Sequence, residues 1–338
     1  MSADRAVADG SHPSLLSVVN WFPTPSETFI VRKLTGLQAE GFDVTVGAAL
    51  FFQPEAAAHG LRLLPLTPVR YPRSSWTALG PAGSVRAAGR ALGAELRAGR
   101  GRALRDRALL APFRAAPTDI VHFELSGIAV AYRHLLPALR PARLALSCRG
   151  TNDQIRPYTS PMWAEELADA FAQVDLIHCV SEAMRRNVEG LGAPPEKVLV
   201  NRPAIPVERF APLAAARRTD VHDGPLRLLS VGRLAWVKGY DDVLRALAPV
   251  VASGREVEYR VVGDGDEREK LAFLIDQLGL DGHVRLLGAC DETEVTDLLA
   301  WADAFVLSSL SEGISNAVLE AMASGLPVVS TDCGGMAE

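Results

Sequence analysis

The chain alternates short runs of apolar and β-branched residues with longer amphipathic stretches, a pattern typical of a parallel α/β fold. Near the start, apolar runs at residues 15–19 and 44–46 flank a predicted helix from about Glu27 to Ala39, which Gly41 ends. This order of elements predicts a βαβ unit. Similar runs predict further strands of the same sheet, at residues 119–123, 144–147 and 176–180.

A second series of strands follows a segment that is rich in proline and charge and has no hydrophobic period. Its five predicted strands, separated by helical stretches, lie at residues 226–231, 258–262, 284–287, 304–307 and 327–330. The 338 residues also exceed what one hydrophobic core usually serves. We therefore predict two Rossmann-like domains, at residues 1–205 and 226–338, joined by a linker at 206–225.

Composition narrows the function classes only a little. Hydrophobic residues make up 48% and charged residues 22% of the chain, and the net charge of -5 gives no reason to expect a nucleic-acid partner. The four cysteines form no C-x-x-C pair, so we expect free thiols. There is neither a signal-peptide layout nor an apolar run of the roughly 20 residues that span a bilayer. These features predict a cytoplasmic protein.

One basic segment leaves a question of membrane contact open. Residues 86–114 contain eight arginines against Glu95 and Asp106, with apolar residues at helical spacing. Such a helix could lie on anionic lipid headgroups at the inner face of the membrane, or could be a solvated face of an arginine-rich protein. Both interpretations remain at this point.

Candidate chemistry lies where the predicted strands of the second domain end, because open α/β sheets bind ligands beyond the carboxyl ends of their strands. The first strand ends at Gly232 and Arg233, and Lys238 follows. A fork of guanidinium donors and a point charge suit a diphosphate. The second strand ends in Gly263-Asp264-Gly265, but the third glycine of a dinucleotide fingerprint is replaced by Arg268. We therefore interpret this segment as a tight turn that faces the ligand.

The fourth strand leads into the segment with the most specific pattern. Ser315 or Asn316 can cap a helix that Gly325 ends, and free N–H groups at a helix start suit a phosphate or a sugar hydroxyl. Glu312 precedes this helix, and Glu320 lies inside it among apolar residues. A buried carboxylate at 320 needs donors, which ribose hydroxyls would supply. The alternatives are a helix-dipole preference at 312 and a surface carboxylate at 320.

Glu312, seven intervening residues and Glu320 resemble the E-x7-E signature of the retaining GT-B glycosyltransferases of family 4 (glycosyltransferase group 1). The flanking sequence SEGISNAVLEAMASGLPVVSTDCGG is similar to that motif almost throughout, and the glycine-containing strand ends before it follow in the family's order. Residues 26–30 resemble enzymes of exopolysaccharide and capsule assembly. The resemblance implies a GT-B fold, with two Rossmann-like domains that face a cleft.

The resemblance also implies a role for each matched position. Arg233 and Lys238 would bind the donor diphosphate and stabilise the departing nucleotide, and Glu312 would contact the donor sugar. The remaining donor-binding positions would be Gly232, Gly263, Gly265, Gly288, Ile314, Ser315, Asn316 and Glu320, with Glu320 on the ribose and the base near residues 287–290. The resemblance implies an enzyme that works without a metal or cofactor. The implied donor substrate is a nucleotide sugar, a UDP- or GDP-sugar. The sequence has no D-x-D at a strand end.

On the acceptor side, the resemblance implies Glu27, Arg149 and Gly150 as contacts. Family members often carry a histidine beside a glycine here, and Arg149 stands in its place. His122, after the predicted strand at 119–123, is a second candidate, and its alternative is an ordinary strand-end histidine. The implied acceptor is a glycan or a lipid-linked glycan.

The sequence at residues 334–338 resembles the middle of the family's second domain. We therefore expect that domain to be incomplete, with low stability and weak or no turnover. The leading function is sugar transfer with retention, by front-face chemistry. The alternatives are a catalytically impaired fragment that binds the nucleotide sugar and a sugar-nucleotide epimerase. A nicotinamide oxidoreductase is disfavoured because its glycine fingerprint is not present.

Overall fold

The protein forms two compact units, seen in a computed structural model that describes residues 12–24, 27–52, 60–68, 101–217 and 224–338. Of residues 101–103 only the backbone is described. The first unit comprises Met1–Cys179 and Met184–Val200, and the second comprises Val180–Ala183 and Asn201–Glu338. Each unit contains one sheet, and all strand pairs in both sheets are parallel.

The first unit is a seven-stranded sheet with the order β3-β2-β1-β4-β5-β6-β7. Its strands are β1 (Ser14–Phe22), β2 (Asp43–Phe51), β3 (Arg62–Pro65), β4 (Ile120–Phe123), β5 (Arg143–Cys148), β6 (Leu176–Cys179) and β7 (Val198–Val200). The helices over this part of the chain are α1 (Thr28–Ala39), α2 (Gly101–Ala115), α3 (Ser126–Tyr132), α4 (Thr151–Gln154), α5 (Arg156–Thr159), α6 (Pro161–Gln173) and α7 (Glu182–Gly190).

Hydrophobic side chains cover both faces of this sheet. Along β1, Leu16 and Val18 belong to one core cluster, whereas Leu15 and Val19 belong to another. Successive side chains of a strand point to opposite faces, so the two clusters lie on the two sides of β1. Burial on both faces explains why the strands are apolar runs rather than alternating ones.

The second unit has a five-stranded sheet with the order β10-β9-β8-β11-β12. Its strands are β8 (Leu226–Val231), β9 (Val257–Val262), β10 (Val284–Gly288), β11 (Ala304–Leu307) and β12 (Val328–Ser330). Its helices are α8 (Val207–Ala216), α9 (Tyr240–Ala252), α10 (Arg268–Gln277), α11 (Glu292–Trp301) and α12 (Asn316–Ala323). Leu228 and Leu229 again belong to different core clusters, so this sheet is also covered on both faces.

The predicted α/β class and the predicted strands are confirmed, with shifts of a few residues at their ends. Two strands were missed, β3 and β7, which form the two edges of the first sheet. Both are short, with half-buried or exposed residues, and β3 ends in Pro65. Edge strands of this kind lack the long apolar run on which the prediction depends.

The predicted linker at residues 206–225 differs from the structure, because much of it is the helix α8. Phe210 is 2% exposed and belongs to a core cluster of the second unit. Arg217 donates to three backbone carbonyls, those of Ser324 at 3.0 Å, Ala302 at 2.8 Å and Leu299 at 2.8 Å. Of the prolines that suggested a linker, Pro203 and Pro206 lie before the helix, Pro212 lies inside it and Pro225 follows it, and the helix is held by tertiary contacts. Residues 218–223 lie outside the described residues.

The basic segment is described only in its second half, as residues 86–100 lie outside the described residues. In α2, Leu109, Leu110 and Phe113 are buried in the core of the first unit. The apolar side of this half therefore packs on protein, although Leu104 is exposed. None of the described helices combines the length and apolar character needed to cross a bilayer.

Candidate functional site

Two loops at the carboxyl ends of β8 and β11 are joined by a half-buried ion pair. Glu312 Oε1 accepts from Lys238 Nζ at 2.5 Å and from Ser309 Oγ at 2.7 Å. The Lys238 and Glu312 side chains are only 20% and 12% exposed. Sequence analysis placed both residues in the site, and the structure brings them into direct contact.

Gly239 allows these two loops to approach so closely. Its φ is +59°, a left-handed conformation that favours glycine, and a Cβ there would lie 2.3 Å from the carbonyl oxygen of Ser308. Ser308 Oγ donates to the Lys238 carbonyl at 2.8 Å, and Leu310 N donates to the Val237 carbonyl at 2.8 Å. The position of Lys238 is thus fixed by backbone contacts on both sides.

Arg233 is the exposed cation of the site. It lies one residue after Gly232, whose carbonyl accepts from the Tyr240 hydroxyl at 3.0 Å. Within the described part of the chain, no carboxylate lies within ion-pair distance of the Arg233 guanidinium. Its donors are therefore available to a ligand, whereas the Lys238 ammonium gives one of its three donors to Glu312.

The glycines of the turn after β9 are required by crowding within the second unit. Gly263 and Gly265 have φ of +132° and +158°. A Cβ at Gly263 would lie 2.0 Å from the Gly232 carbonyl oxygen, and a Cβ at Gly265 would lie 2.3 Å from the Leu234 carbonyl oxygen. The turn after β9 is therefore packed directly on the turn after β8. This close packing is by itself a sufficient reason for glycine at 263 and 265, so their predicted contact with a ligand stays a prediction.

An unpaired buried donor, from the first residue of α10, lies beside the turn after β10. Gly263 N donates to the Gly288 carbonyl at 2.7 Å, and Gly288 itself has a φ of +82°. Arg268 Nη2 donates to the Leu286 carbonyl at 3.3 Å, and Arg268 Nη1 lies 3.9 Å from where a Cβ of Gly288 would be. Nη1 is buried and has no hydrogen-bond partner among the described residues. An unpaired buried donor of this kind is uncommon and fits a ligand acceptor.

The start of α12 carries an unpaired acceptor. Ser315 occupies the N-cap position but its side chain makes no capping bond, and its N–H points to Met336 Sδ at 3.4 Å. Asn316 Oδ1 is buried and has no partner within the described ranges. Ile314, the residue before the N-cap, is half-buried. An amide oxygen without a donor suits a sugar hydroxyl.

The environment of Glu320 differs from the one expected. Val318 and Ala321 are buried, but Met322 is 60% exposed and Glu320 is half-buried. The buried environment expected for Glu320 is therefore not found, because α12 packs one face and leaves the other open. Glu320 lies at the boundary between these faces, and its contact with a ribose stays a prediction.

In the first unit, Arg149 is held against a buried carboxylate. It follows β5, stacks over the Phe29 ring at 4.9 Å, and donates from Nη2 to Glu124 Oε2 at 3.3 Å and from Nε to the Glu124 carbonyl at 3.2 Å. Glu27 is near enough to act on the charge of Arg149. Gly150 has extended backbone and open space at its Cβ position, so nothing in the fold requires glycine there.

Glu124 is the centre of a buried polar cluster that the sequence analysis missed. The carboxylate is completely buried and also accepts from Ser17 Oγ at 2.7 Å and from the Lys33 ammonium. Burial acts to raise the pKa of Glu124, but attraction to His122 in its protonated form, to Lys33 and to Arg149 outweighs it, so the pKa is lowered and the group is ionised.

A chain of hydrogen bonds connects this cluster across three strands. Lys33 Nζ contacts His122 Nδ1 at 3.1 Å, His122 Nε2 contacts Ser147 Oγ at 2.9 Å, and Ser147 Oγ contacts His178 Nδ1 at 2.9 Å. Burial lowers the pKa of His122 to about 3, so its imidazole is neutral at pH 7. His122 is therefore more than an ordinary strand-end histidine. Because Glu124 directly follows the β4 strand, the rule applied to the second unit could have identified it.

The thiols and the carboxylates of the described chain form no metal centre. Cys148, Cys179, Cys290 and Cys333 are free, as predicted. Among the described residues there is no group of three or more His, Cys, Asp or Glu side chains that could hold a metal ion.

Comparison with known proteins agrees with this geometry. Residues 26–209 match the family described as Glycosyltransferase Family 4, and residues 215–338 match Glycosyl transferases group 1. The putative colanic acid biosynthesis glycosyltransferase WcaL of Salmonella typhimurium and the amylovoran biosynthesis glycosyltransferase AmsK of Erwinia amylovora are each 32% identical over 67% of this chain. The chain spans 56% of the length of these two relatives.

Two solved structures illustrate the fold that this chain shares with known proteins. Anabaena Alr3699/HepE in complex with UDP-glucose gives a TM-score of 0.67 at 17% identity, covering 96% of this chain and 82% of that one. WaaG, a glycosyltransferase involved in lipopolysaccharide biosynthesis, gives 0.65 at 18% identity, covering 95% and 82%. These likenesses show the GT-B fold. Since the family 4 match alone covers more than half of the residues, the chain belongs to glycosyltransferase family 4.

Proposed function

We propose that the protein transfers a sugar from a nucleoside-diphosphate sugar to a glycan or lipid-linked acceptor of exopolysaccharide assembly, with retention of the anomeric configuration. The observation that carries this proposal is the Lys238–Glu312 ion pair beside the exposed Arg233, at the carboxyl ends of β8 and β11. The names of the relatives support the exopolysaccharide context, and the UDP and UDP-glucose complexes of HepE support UDP as the first nucleotide to test.

The arrangement suits departure of a diphosphate without a metal ion. Arg233 offers a fork of free donors, and Lys238 adds a point charge whose position Glu312 and the backbone fix beforehand. Preorganised charge of this kind stabilises the negative charge that develops on the leaving nucleotide. The chain's own cations would thus do the electrostatic work of the reaction.

In front-face transfer, the acceptor hydroxyl forms its bond to the sugar C1 on the side from which the diphosphate leaves. The C1–O bond to the diphosphate breaks, and the hydroxyl proton passes to the departing phosphate oxygen. Retention follows because entry and departure share one face. Glu312 contacts the donor sugar, Asn316 Oδ1 accepts from a sugar hydroxyl, and Glu320 accepts from the ribose.

The test is calorimetric titration of UDP, GDP and ADP into the full chain. Saturable binding of UDP is expected, and Lys238→Met should weaken it at least tenfold, because a charge-assisted hydrogen bond contributes about 1.5–3 kcal/mol. Lys270→Met is the control, since Lys270 is 53% exposed and pairs only with surface carboxylates in the described structure. Equal affinities in the two variants would remove Lys238 from the diphosphate site.

A second variant tests the ribose contact. Glu320→Ala should weaken UDP binding while leaving the far-ultraviolet circular dichroism unchanged, and Met322→Ala on the exposed face of the same helix should not. Retention is checked by NMR of the glycosidic product, where an inverted anomeric signal would contradict it. Nucleotide binding without transfer to any glycan acceptor would favour a donor-binding role, and free nucleotide with an altered sugar would favour an epimerase.

A further inference from the structure

We infer that the first unit contains an anion site, formed by Arg149 and Lys33 and positioned by Glu124, which takes an oxyanion carried by the acceptor. The shared chemistry is that of a phosphate or a sugar carboxylate. The assignment of the anion to the acceptor rests on the proposed function, whereas the site itself rests only on the residues of the first unit.

The cluster around Glu124 carries a net positive charge. Glu124 is ionised and completely buried, and Arg149 and Lys33 both contact it, so two cations share one carboxylate. His122 contributes no charge at neutral pH, because burial lowers its pKa to about 3. The three contacting groups therefore carry a net charge of one positive unit. Glu27 offsets part of it, because its charge also acts on Arg149.

The two cations of the cluster, Lys33 and Arg149, repel each other. Burial is the main factor that lowers the pKa of Lys33 and that of Arg149, and Glu124 opposes it in both. The charge of Arg149 further lowers the pKa of Lys33. The repulsion between two like charges beside one carboxylate falls when a second anion bridges them.

Arg149 and Lys33 retain donors for such an anion. The Arg149 side chain is 16% exposed and that of Lys33 is 29% exposed, so both reach solvent beyond the buried carboxylate. The hydrogen bonds of Arg149 use Nε and Nη2, on Glu124 and on Ser147 Oγ at 3.3 Å, and leave Nη1 unused among the described residues. Stacking on Phe29 holds the guanidinium plane, and this arrangement suits a phosphate or carboxylate.

Glu124 acts in this site as a positioning residue. Its two oxygens hold Lys33 on one side and Arg149 on the other, while Ser17 fixes the carboxylate from β1. The carboxylate lies at the end of β4, and Arg149 follows the neighbouring strand β5. The sheet thus places Glu124 and Arg149 at the carboxyl ends of adjacent strands, and α1 supplies Lys33.

The experiment measures hydrogen exchange of the peptides that span residues 120–124 and 143–150 in the full chain, with inorganic pyrophosphate, sodium glucuronate or sodium chloride at equal ionic strength. Pyrophosphate stands for a lipid-linked diphosphate, and glucuronate stands for an acidic sugar. We expect one of the two anions to protect these peptides. The protecting anion identifies the source, and protection equal to that in sodium chloride would overturn the inference.

Matched variants separate the site from general charge. Arg149→Gln and Lys33→Gln should each lower the affinity for the protecting anion at least tenfold. Arg143→Gln should not, since Arg143 lies at the opposite end of the same strand and is exposed. Arg149→Lys should retain part of the binding because it keeps a cation, and this distinguishes loss of the site from loss of folding.

The outcome is independent of the donor site. If UDP binds to the second unit but neither anion protects β5, the anion site is rejected and the proposed function stands. If an anion protects β5 in the wild type and equally in Arg149→Gln, the site is likewise rejected. If an anion protects β5 but no nucleotide binds, the site stands and the proposed function fails.

Discussion

Replacement of Gly239 by alanine tests the close approach that positions Lys238. The residue has a φ of +59°, and an added Cβ would lie 2.3 Å from the backbone oxygen of Ser308. A left-handed conformation costs an alanine roughly 1–2 kcal/mol. Overlap with a backbone atom adds about 1–3 kcal/mol, because neither loop can rotate a side chain out of the way. Gly239→Ala should therefore lower the free energy of unfolding by roughly 2–5 kcal/mol.

Gly279 provides a control with nearly the same backbone. Its φ is +66°, and nothing lies within 4 Å of where its Cβ would be. Gly279→Ala should therefore cost only the conformational strain, roughly 1–2 kcal/mol. The two variants are compared by urea unfolding followed by circular dichroism and tryptophan fluorescence. Any excess loss in Gly239→Ala measures the overlap alone.

The same pair of variants tests the link between this contact and the ligand. Relief of the overlap must move the Lys238 loop away from the Glu312 loop, so Gly239→Ala should bind UDP at least tenfold more weakly, and Gly279→Ala should bind it normally. Equal losses of unfolding free energy in the two variants would refute the reasoning. A folded Gly239→Ala variant with unchanged UDP affinity would show that the loops can separate without disturbing the site.

Three further predictions concern other parts of the chain. The His122 pKa of about 3 lies below the ordinary value near 6.5, so the unfolded state takes up a proton first on acidification. The free energy of unfolding should therefore fall by about 2 kcal/mol between pH 7 and pH 5. The contribution of His122 to this fall should be absent from the His122→Gln variant. An identical fall in that variant would contradict a buried neutral imidazole. Phe210→Ala should destabilise the second unit by about 3–5 kcal/mol, whereas Val207→Ala, at an exposed position of the same helix, should change its urea midpoint little. Arg268→Met should weaken UDP binding about tenfold in calorimetry, through loss of a donor worth about 1.5 kcal/mol or more, and an unchanged affinity would show that Nη1 does not face the nucleotide.

The sequence determined the elements of the fold and the donor-side residues. Apolar runs covered on both faces predict parallel strands, because such runs can be buried only between layers of helices. The motif from Glu312 to Glu320 and the residues Arg233 and Lys238 follow the ends of predicted strands, and strand ends meet at one edge of a parallel sheet. Local pattern was enough for these features because each depends on residues that are close in the chain.

The tertiary structure decided which partners those residues have. Glycine at 263 and 265 is required by carbonyls of another loop, and α8 is held by contacts to strands and helices about 85–107 residues away. Glu124, Lys33 and Arg149 are separated by 25 residues or more, and their shared carboxylate cannot be read from local spacing. Pairings of this kind depend on strand order in the sheet, which the hydrophobic period of a sequence does not encode.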